Sequence, residues 1–313
     1  MDNLYSTLIH QTFNFPQEGF EVKDDELYFN DICLMDVIKQ YGTPLRISYL
    51  PKIGSQIQKA KRLFNVAMAK VDYKGKYVYC YCTKSSHFSF VLDEVLKNEV
   101  HIETSSAFDL QIIKEQFQKN TLTKDTYIIC NGYKRNLYKQ NICDLINDGF
   151  NVIPVLDHLD EVDFYKKHAK AEKVNLGIRI STEEEPSFLF YTSRLGVRSS
   201  EIINLYNEKI KPHAKFNLKL LHFFINTGIK DTIYYWTELN KCLNIYKELK
   251  EICPGLDSLN IGGGMPIRNS LGFEYDYEYM IEEIVSQIKT FCDQNGIAEP
   301  NIFTEFGSYT VGE

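Results

Sequence analysis

The sequence has no C-x-x-C pair, no H-E-x-x-H or other metal-ligand spacing and no G-x-G-x-x-G fingerprint. These gaps argue against a zinc site, a zinc hydrolase and a dinucleotide-binding turn, and no metal is expected. No apolar stretch approaches the roughly 20 residues that a membrane span needs. The opening MDNLYSTLIHQTFNF has no cationic segment ahead of an apolar run, so no secretory signal is expected. A basic excess is missing too. The formal net charge is −7 over 313 residues, which argues against nucleic acid or an anionic membrane as partner. With no export signal, the eight cysteines are expected to be reduced thiols of a cytoplasmic protein. No Gly/Ser/Pro-rich linker and no low-complexity segment interrupts the chain.

What is present is a hydrophobic content of 44%, enough for one large core or two smaller ones. Residues 1–50 differ from the rest. GFEVKDDELYFN predicts two short strands around an acidic turn, and LMDVIKQYGTPLRISYL a short helix, a Gly-Thr-Pro break and another strand. KIGSQIQKAKRLFNVAMAKV then carries apolar residues at helical spacing.

From residue 77 the pattern is regular. Short β-rich runs fall at 77–82, 100–103, 126–130, 151–156, 175–180, 218–225, 256–261 and 301–306. Segments with helical periodicity lie between them, such as SHFSFVLDEVLKN and SSAFDLQIIKEQF. Eight strands and seven crossovers, with strands reading as near-continuous apolar runs, predict a parallel (β/α)8 barrel of the TIM type over residues 51–313. An open doubly wound sheet is the alternative. No helix is predicted after the eighth strand, so apolar surface beside strands one and eight is expected to be exposed.

In a barrel the chemistry gathers at the C-terminal ends of the strands. Those ends hold Lys84, Glu103, Asn131-Gly132, Asp157, Arg179, Phe224 to Thr227, Gly262-Gly263-Gly264 and Glu305. A lysine between low-dielectric walls is expected to have a depressed pKa and act as an amine nucleophile, the alternative being a lysine in water where the strand ends. A glycine triplet after a strand offers backbone N–H groups without Cβ atoms, which suits a phosphate, although a tight turn uses glycine equally well. Glu305 ends an apolar strand and needs a partner, either a cationic ring nitrogen or Arg179. Lysine, phosphate cradle and buried carboxylate together fit pyridoxal 5′-phosphate. The acidic run Glu183 to Glu185 is expected to be a solvated loop.

Nine segments in order now resemble a known family: GTPL (42–45), TKSS (83–86), HIETSSAFDL (101–110), CNGYK (130–134), LGIRI (176–180), SRLG (193–196), LLHFFINTG (220–228), LNIGGG (259–264) and TEFGS (304–308). The chain resembles the pyridoxal-phosphate-dependent amino-acid decarboxylases with an alanine-racemase-type barrel, and among them the biosynthetic arginine decarboxylases of polyamine (spermidine) synthesis. CNGYK and the glutamate of HIET resemble the arginine enzymes more than the diaminopimelate or ornithine ones, and a decarboxylase acting on diaminopimelate or carboxynorspermidine is the alternative. The resemblance implies Lys84 as the catalytic lysine that takes the cofactor aldehyde, and Glu305 at the pyridine nitrogen. It implies Gly262, Gly263, Gly264 and Thr227 at the phosphate, with Glu103 and Arg179 near the ring. An amino acid, with arginine favoured, is the implied substrate and a homodimer the implied assembly.

Two positions depart from the family pattern. Phe224 stands where a histidine usually stacks on the ring; it can stack but cannot hydrogen-bond. Ser308 stands where an arginine usually binds the phosphate, a loss of charge that weakens phosphate recognition. The family also carries a C-terminal β domain, and the strands within residues 1–50 are expected to belong to it. A homologue that binds the cofactor without turnover is the rival reading.

Overall fold

The computed structural model describes residues 19–182, 195–267 and 273–312. It divides into two compact units, one holding residues 19–49 with 273–274, the other the remaining described residues from Leu50 onward.

The smaller unit is an antiparallel meander of β1 (Phe20–Lys23), β2 (Glu26–Phe29) and β3 (Ile32–Cys33), followed by the helix Leu34–Tyr41. Both connections are two-residue turns, Asp24-Asp25 and Asn30-Asp31, and all four residues have positive φ. Two successive left-handed residues give the turn twist that tight hairpins favour, and Asp and Asn tolerate it better than most residues. The strand expected within PLRISYL does not form: residues 44–49 are irregular backbone, exposed as far as residue 48. A strand needs a ladder partner, and none among the described residues pairs with this stretch.

The larger unit is a closed parallel barrel in the order β10-β11-β4-β5-β6-β7-β8-β9. Its strands are β4 (Tyr77–Cys82), β5 (His101–Thr104), β6 (Ile128–Cys130), β7 (Val152–Leu156), β8 (Val174–Arg179), β9 (Phe216–His222), β10 (Ser258–Asn260) and β11 (Asn301–Phe306). A helix occupies each of the seven crossovers. The open-sheet alternative is thereby excluded.

Strand parity explains both faces of the sheet. In β4, Tyr79 and Tyr81 face outward into the large core beneath the helices, while Val78 and Cys80 face the lumen. The tyrosine hydroxyls find partners at their far ends, Tyr77 with Thr304, Tyr79 with Thr310 and Tyr81 with the Ser86 carbonyl. Val78, Cys80, Ile129, Ile153, Val155, Leu220 and Phe303 form a separate apolar plug inside the barrel.

The seam between the first and eighth barrel strands is covered, against expectation. The helix Pro51–Lys70, which precedes β4 in sequence, packs beside β4 and the helix Tyr277–Asn295. Its Ile53, Ile57, Ala60, Phe64, Ala67 and Met68 are buried, at helical spacing. Phe64 stacks on Tyr77 of β4 at 4.1 Å and lies 6.4 Å from Phe306 of β11, so one ring spans the joint. The closing helix comes from the start of the barrel instead of its end.

Candidate active site

The register of the barrel places polar side chains directly above the apolar plug. Arg179 pairs with His222 across β8 and β9, and His222 with Asn260 across β9 and β10. Residues of the opposite parity, Ile178, Leu221 and Leu259, face the helices, so these three polar side chains face the lumen. Cys82 pairs with Glu103, and Glu305 with Cys80, on the same inward parity.

Lys84 lies in a single 3-10 turn, Thr83–Ser85, immediately after β4. Its Nζ donates to Oε2 of Glu103 at 3.2 Å, and the lysine side chain is 56% exposed while that of Glu103 is fully buried. Burial works against the charge on Lys84, but the carboxylates of Glu103 and Glu305 outweigh it and hold the ammonium above the ordinary lysine range. The expected depression of this pKa is therefore reversed, because the lysine meets a carboxylate before it meets low dielectric. Burial pushes the Glu103 carboxyl up, Lys84 opposes that push, and Glu305 adds to it.

A continuous hydrogen-bonded chain then crosses the lumen. Asn131 Nδ2 donates to Oε1 of Glu103 at 3.2 Å and to Oε1 of Glu305 at 2.7 Å. Asn260 Nδ2 donates to the same Glu305 oxygen, and its own Oδ1 accepts from the Gly262 amide at 2.8 Å. The other oxygen of Glu305 faces His222 Nε2 at 3.7 Å. Burial, reinforced by the nearby Arg179, holds the His222 imidazole well below its ordinary pKa, which favours the uncharged ring. The alternative pairing of Glu305 with Arg179 is not what the structure shows. The Arg179 guanidinium instead lies 5.4 Å from the centre of the Phe224 ring, in cation–π geometry.

The glycine triplet sits beside this chain. Glu305 N donates to Gly262 O at 2.9 Å. A Cβ on Gly262, whose φ is +72°, would come within 2.9 Å of the Phe223 carbonyl, and one on Gly263 would strike the Glu305 carbonyl. Gly264 and Gly228 lie back to back, with Ile229 N donating to Gly264 O at 3.0 Å. Side chains are thus excluded here by the barrel's own backbone, and the tight-turn reading accounts for the glycines. It also leaves bare backbone at the rim next to the partly buried Thr227, where a phosphate can approach. Ser308 is exposed at the start of a one-turn helix, Ser308–Val311, which follows β11 where the sequence predicts none, and Gly307 before it packs against Ser85, the residue next to Lys84.

Lys84, Glu103 and Glu305 therefore share one mouth with Gly262 and Gly263, and Arg179 faces the same lumen. Of the SRLG segment, Ser193 and Arg194 lie outside the described residues, as does the Glu183 to Glu185 run. His222 and Asn260 escaped the sequence reading, because both sit inside runs predicted as strand three residues and one residue too long at their C-terminal ends (218–225 and 256–261). Counting parity back from Phe223 and Ile261 is the signal that would have found them.

The observed groups suit pyridoxal phosphate on their own chemistry. They provide a lysine at the rim, a carboxylate across the lumen with one oxygen lacking a hydrogen-bond donor among the described residues, and glycine backbone beside that carboxylate that emerges at the exposed Gly264. Buried atoms without a partner add to this, namely both nitrogens of His222, Arg179 Nε and Asn131 Oδ1. Such atoms are rare in native interiors, and these four belong to side chains that line the lumen beside Glu305.

Comparison with known proteins agrees with the geometry. Residues 53–312 match the family model described as pyridoxal-dependent decarboxylase, pyridoxal binding domain. The chain belongs to that family, and its cofactor is pyridoxal phosphate. It is 27% identical over 310 residues to a biosynthetic arginine decarboxylase of Phocaeicola vulgatus, covering 93% of this chain and 48% of that protein. The corresponding protein of Bacteroides thetaiotaomicron is 26% identical over 302 residues, covering 90% and 46%. The chain thus spans about half the length of the curated relatives it matches. Among solved structures, the biosynthetic arginine decarboxylase of Campylobacter jejuni shares the fold with a TM-score of 0.77 at 22% identity, over 94% of this chain and 51% of that one. A diaminopimelate decarboxylase of M. jannaschii does so with 0.77 at 18%, over 94% and 67%.

Proposed function

We propose that this chain is the cofactor-binding barrel of an amino-acid decarboxylase that removes CO2 from arginine to leave agmatine. The observation that carries the reading is the unbroken path Lys84–Glu103–Asn131–Glu305 across a single barrel mouth. Arginine is favoured by the curated relatives, which match over most of this chain; diaminopimelate and lysine decarboxylases share the fold and define the competing substrates.

When bound, pyridoxal phosphate supplies the electron sink that accepts the bonding pair released as CO2 departs. Lys84 would hold it covalently, and its Nζ must first give up a proton. Glu103, 3.2 Å away and with its carboxyl pushed up by burial, is placed to accept that proton. Glu305 would hold a proton at the ring nitrogen through the oxygen left free of amide donors. The rim from Gly262 to Gly264, with Thr227, would seat the phosphate, and Gly307, just before Ser308, lies against Ser85 of the Lys84 turn. Phe224 would give the ring an apolar face, its own far side fixed by Arg179.

Purified protein mixed with pyridoxal phosphate should develop a visible absorption band that borohydride converts to a stable adduct on Lys84. Labelling of a different lysine, or no band, removes the cofactor roles. Arginine, offered against lysine, ornithine and diaminopimelate, should perturb that band and release CO2 fastest; a stronger response to another of these removes arginine. A second reading, cofactor binding without turnover, is favoured by Phe224 and Ser308, and it predicts the band and the adduct with no CO2 from any of the four.

A further inference from the structure

The two amide donors on Glu305 fall on one oxygen. Asn131 Nδ2 and Asn260 Nδ2 both reach Oε1, whereas among the described residues Oε2 faces the His222 ring alone, at 3.7 Å. Neither asparagine is free to turn. Asn260 is fixed because its Oδ1 accepts from the Gly262 amide, so its NH2 must point toward Glu305. Asn131 is fixed because its NH2 serves two carboxylates at once, one hydrogen for each. All these side chains are buried, with Asn260 wholly inaccessible and Asn131 only 4% exposed.

Buried carboxylates that share a site repel, and each pushes the other toward protonation. Here the load is divided unequally. Glu103 takes one Asn131 hydrogen, the Cys82 thiol and an ammonium, and burial pushes its carboxyl up; Glu305 takes two amide hydrogens, from Asn131 and Asn260. Hydrogen bonds to a charged form favour that form, and two of them on one oxygen stabilise an anion whose other oxygen stays open.

We propose that Asn131 and Asn260 are positioning residues that hold Glu305 as an anion with Oε2 presented to the lumen. In addition, Asn131 sets the spacing between the carboxylate that serves the ring nitrogen and the carboxylate that serves Lys84. This inference rests on the pyridoxal-phosphate assignment and extends it to residues that need not touch the reacting atoms.

The test is a double-substitution cycle read as affinity for pyridoxal phosphate, with borohydride labelling of Lys84 in the wild type as the prior control. Asn260→Ala and Asn131→Ala should each weaken cofactor binding about tenfold, the worth of one charge-assisted hydrogen bond. In a Glu305→Gln background the same substitutions should change it by less than about twofold, because their target charge is gone. Equal losses in both backgrounds, or no loss in either, overturn the inference while leaving the labelled lysine in place. Absence of labelling in the wild type overturns the cofactor assignment and this inference with it. Should the alanine variants fail to fold, the isosteric Asn260→Asp and Asn131→Asp replace them. Each sets a new carboxylate against Glu305, so binding should be weaker than in the wild type at neutral pH, and the ratio between the two should narrow as the pH falls and the new carboxylate takes a proton. A ratio that does not change with pH overturns the proposal.

Discussion

Two lysines at the mouth of the barrel have opposite surroundings. Lys134, after β6, is wholly buried, and its Nζ reaches the carbonyls of Val155 and Gly132 at 2.5 and 2.9 Å, Glu161 at 3.1 Å and Asp157 at 3.4 Å. Lys84, after β4, has a side chain 56% exposed and one carboxylate partner. An ammonium has three donors and no acceptor capacity. Lys134 has spent all of its donors inside the protein, tying the end of β6 to the end of β7. Lys84 has donors and reach left over. The contrast separates a lysine that holds the rim together from one that can react there, and burial alone would have ranked them the wrong way round.

The largest effect should come from Lys134→Met. Removing the ammonium leaves Asp157 and Glu161 facing each other with no cation between them, and breaking a buried ion pair in this way costs about 3–5 kcal/mol. Burial already pushes the Glu161 carboxyl up, so part of that cost will appear as proton uptake on folding. Urea denaturation should show a loss of this size at neutral pH. It should shrink as pH falls and the carboxylates are neutralised. A variant as stable as the wild type would mean that the cluster is not a fastening.

Lys84→Ala should do the reverse. The ion pair with Glu103 is open to solvent on the lysine side, and a single buried carboxyl that can take a proton is left behind instead of two, so the loss of stability should be smaller than for Lys134→Met. Attachment of pyridoxal phosphate should nevertheless be lost entirely. The pair of results, one lysine that matters for folding and one for cofactor capture, is checked by a denaturation curve and a borohydride adduct on each variant. A destabilisation by Lys84→Ala that equals that of Lys134→Met would erase the distinction.

Much of the rim is legible in the amino-acid sequence. Each of Lys84, Glu103, Arg179 and Glu305 follows or ends a run of apolar residues, and a charge in that place is conspicuous. Lys134 is visible only as part of CNGYK, because its carboxylate partners are Asp157 and Glu161 and no local pattern links them. His222 and Asn260 are hidden for a related reason: an aromatic or apolar residue after each lets the strand pattern run on past the true end. Closure by the helix Pro51–Lys70 does not follow from crossovers counted in order. Which helix covers a seam depends on where the barrel shuts, and that is a property of the closed sheet.

The smallest effect expected is also the most diagnostic of the Lys84 environment. Capture of an aldehyde requires the neutral amine, so below the lysine pKa the loading rate should rise about tenfold per pH unit. Burial alone would place that pKa low; the Glu103 and Glu305 carboxylates reverse the sign and hold it high. Glu103→Gln removes the nearer charge while keeping a hydrogen-bonding group of the same shape. The Lys84 pKa should then fall, and the loading profile should move toward lower pH by about one unit or more, the displacement expected on losing an opposite charge at this distance. At neutral pH the variant would load faster if amine availability is all that Glu103 controls. If Glu103 also takes the proton from Nζ, the profile still moves to lower pH but its plateau falls below that of the wild type. Stopped-flow absorbance across the pH range separates these results. A profile that stays in place would mean that Lys84 does not feel Glu103 in solution, and the two lysines would then differ in exposure only.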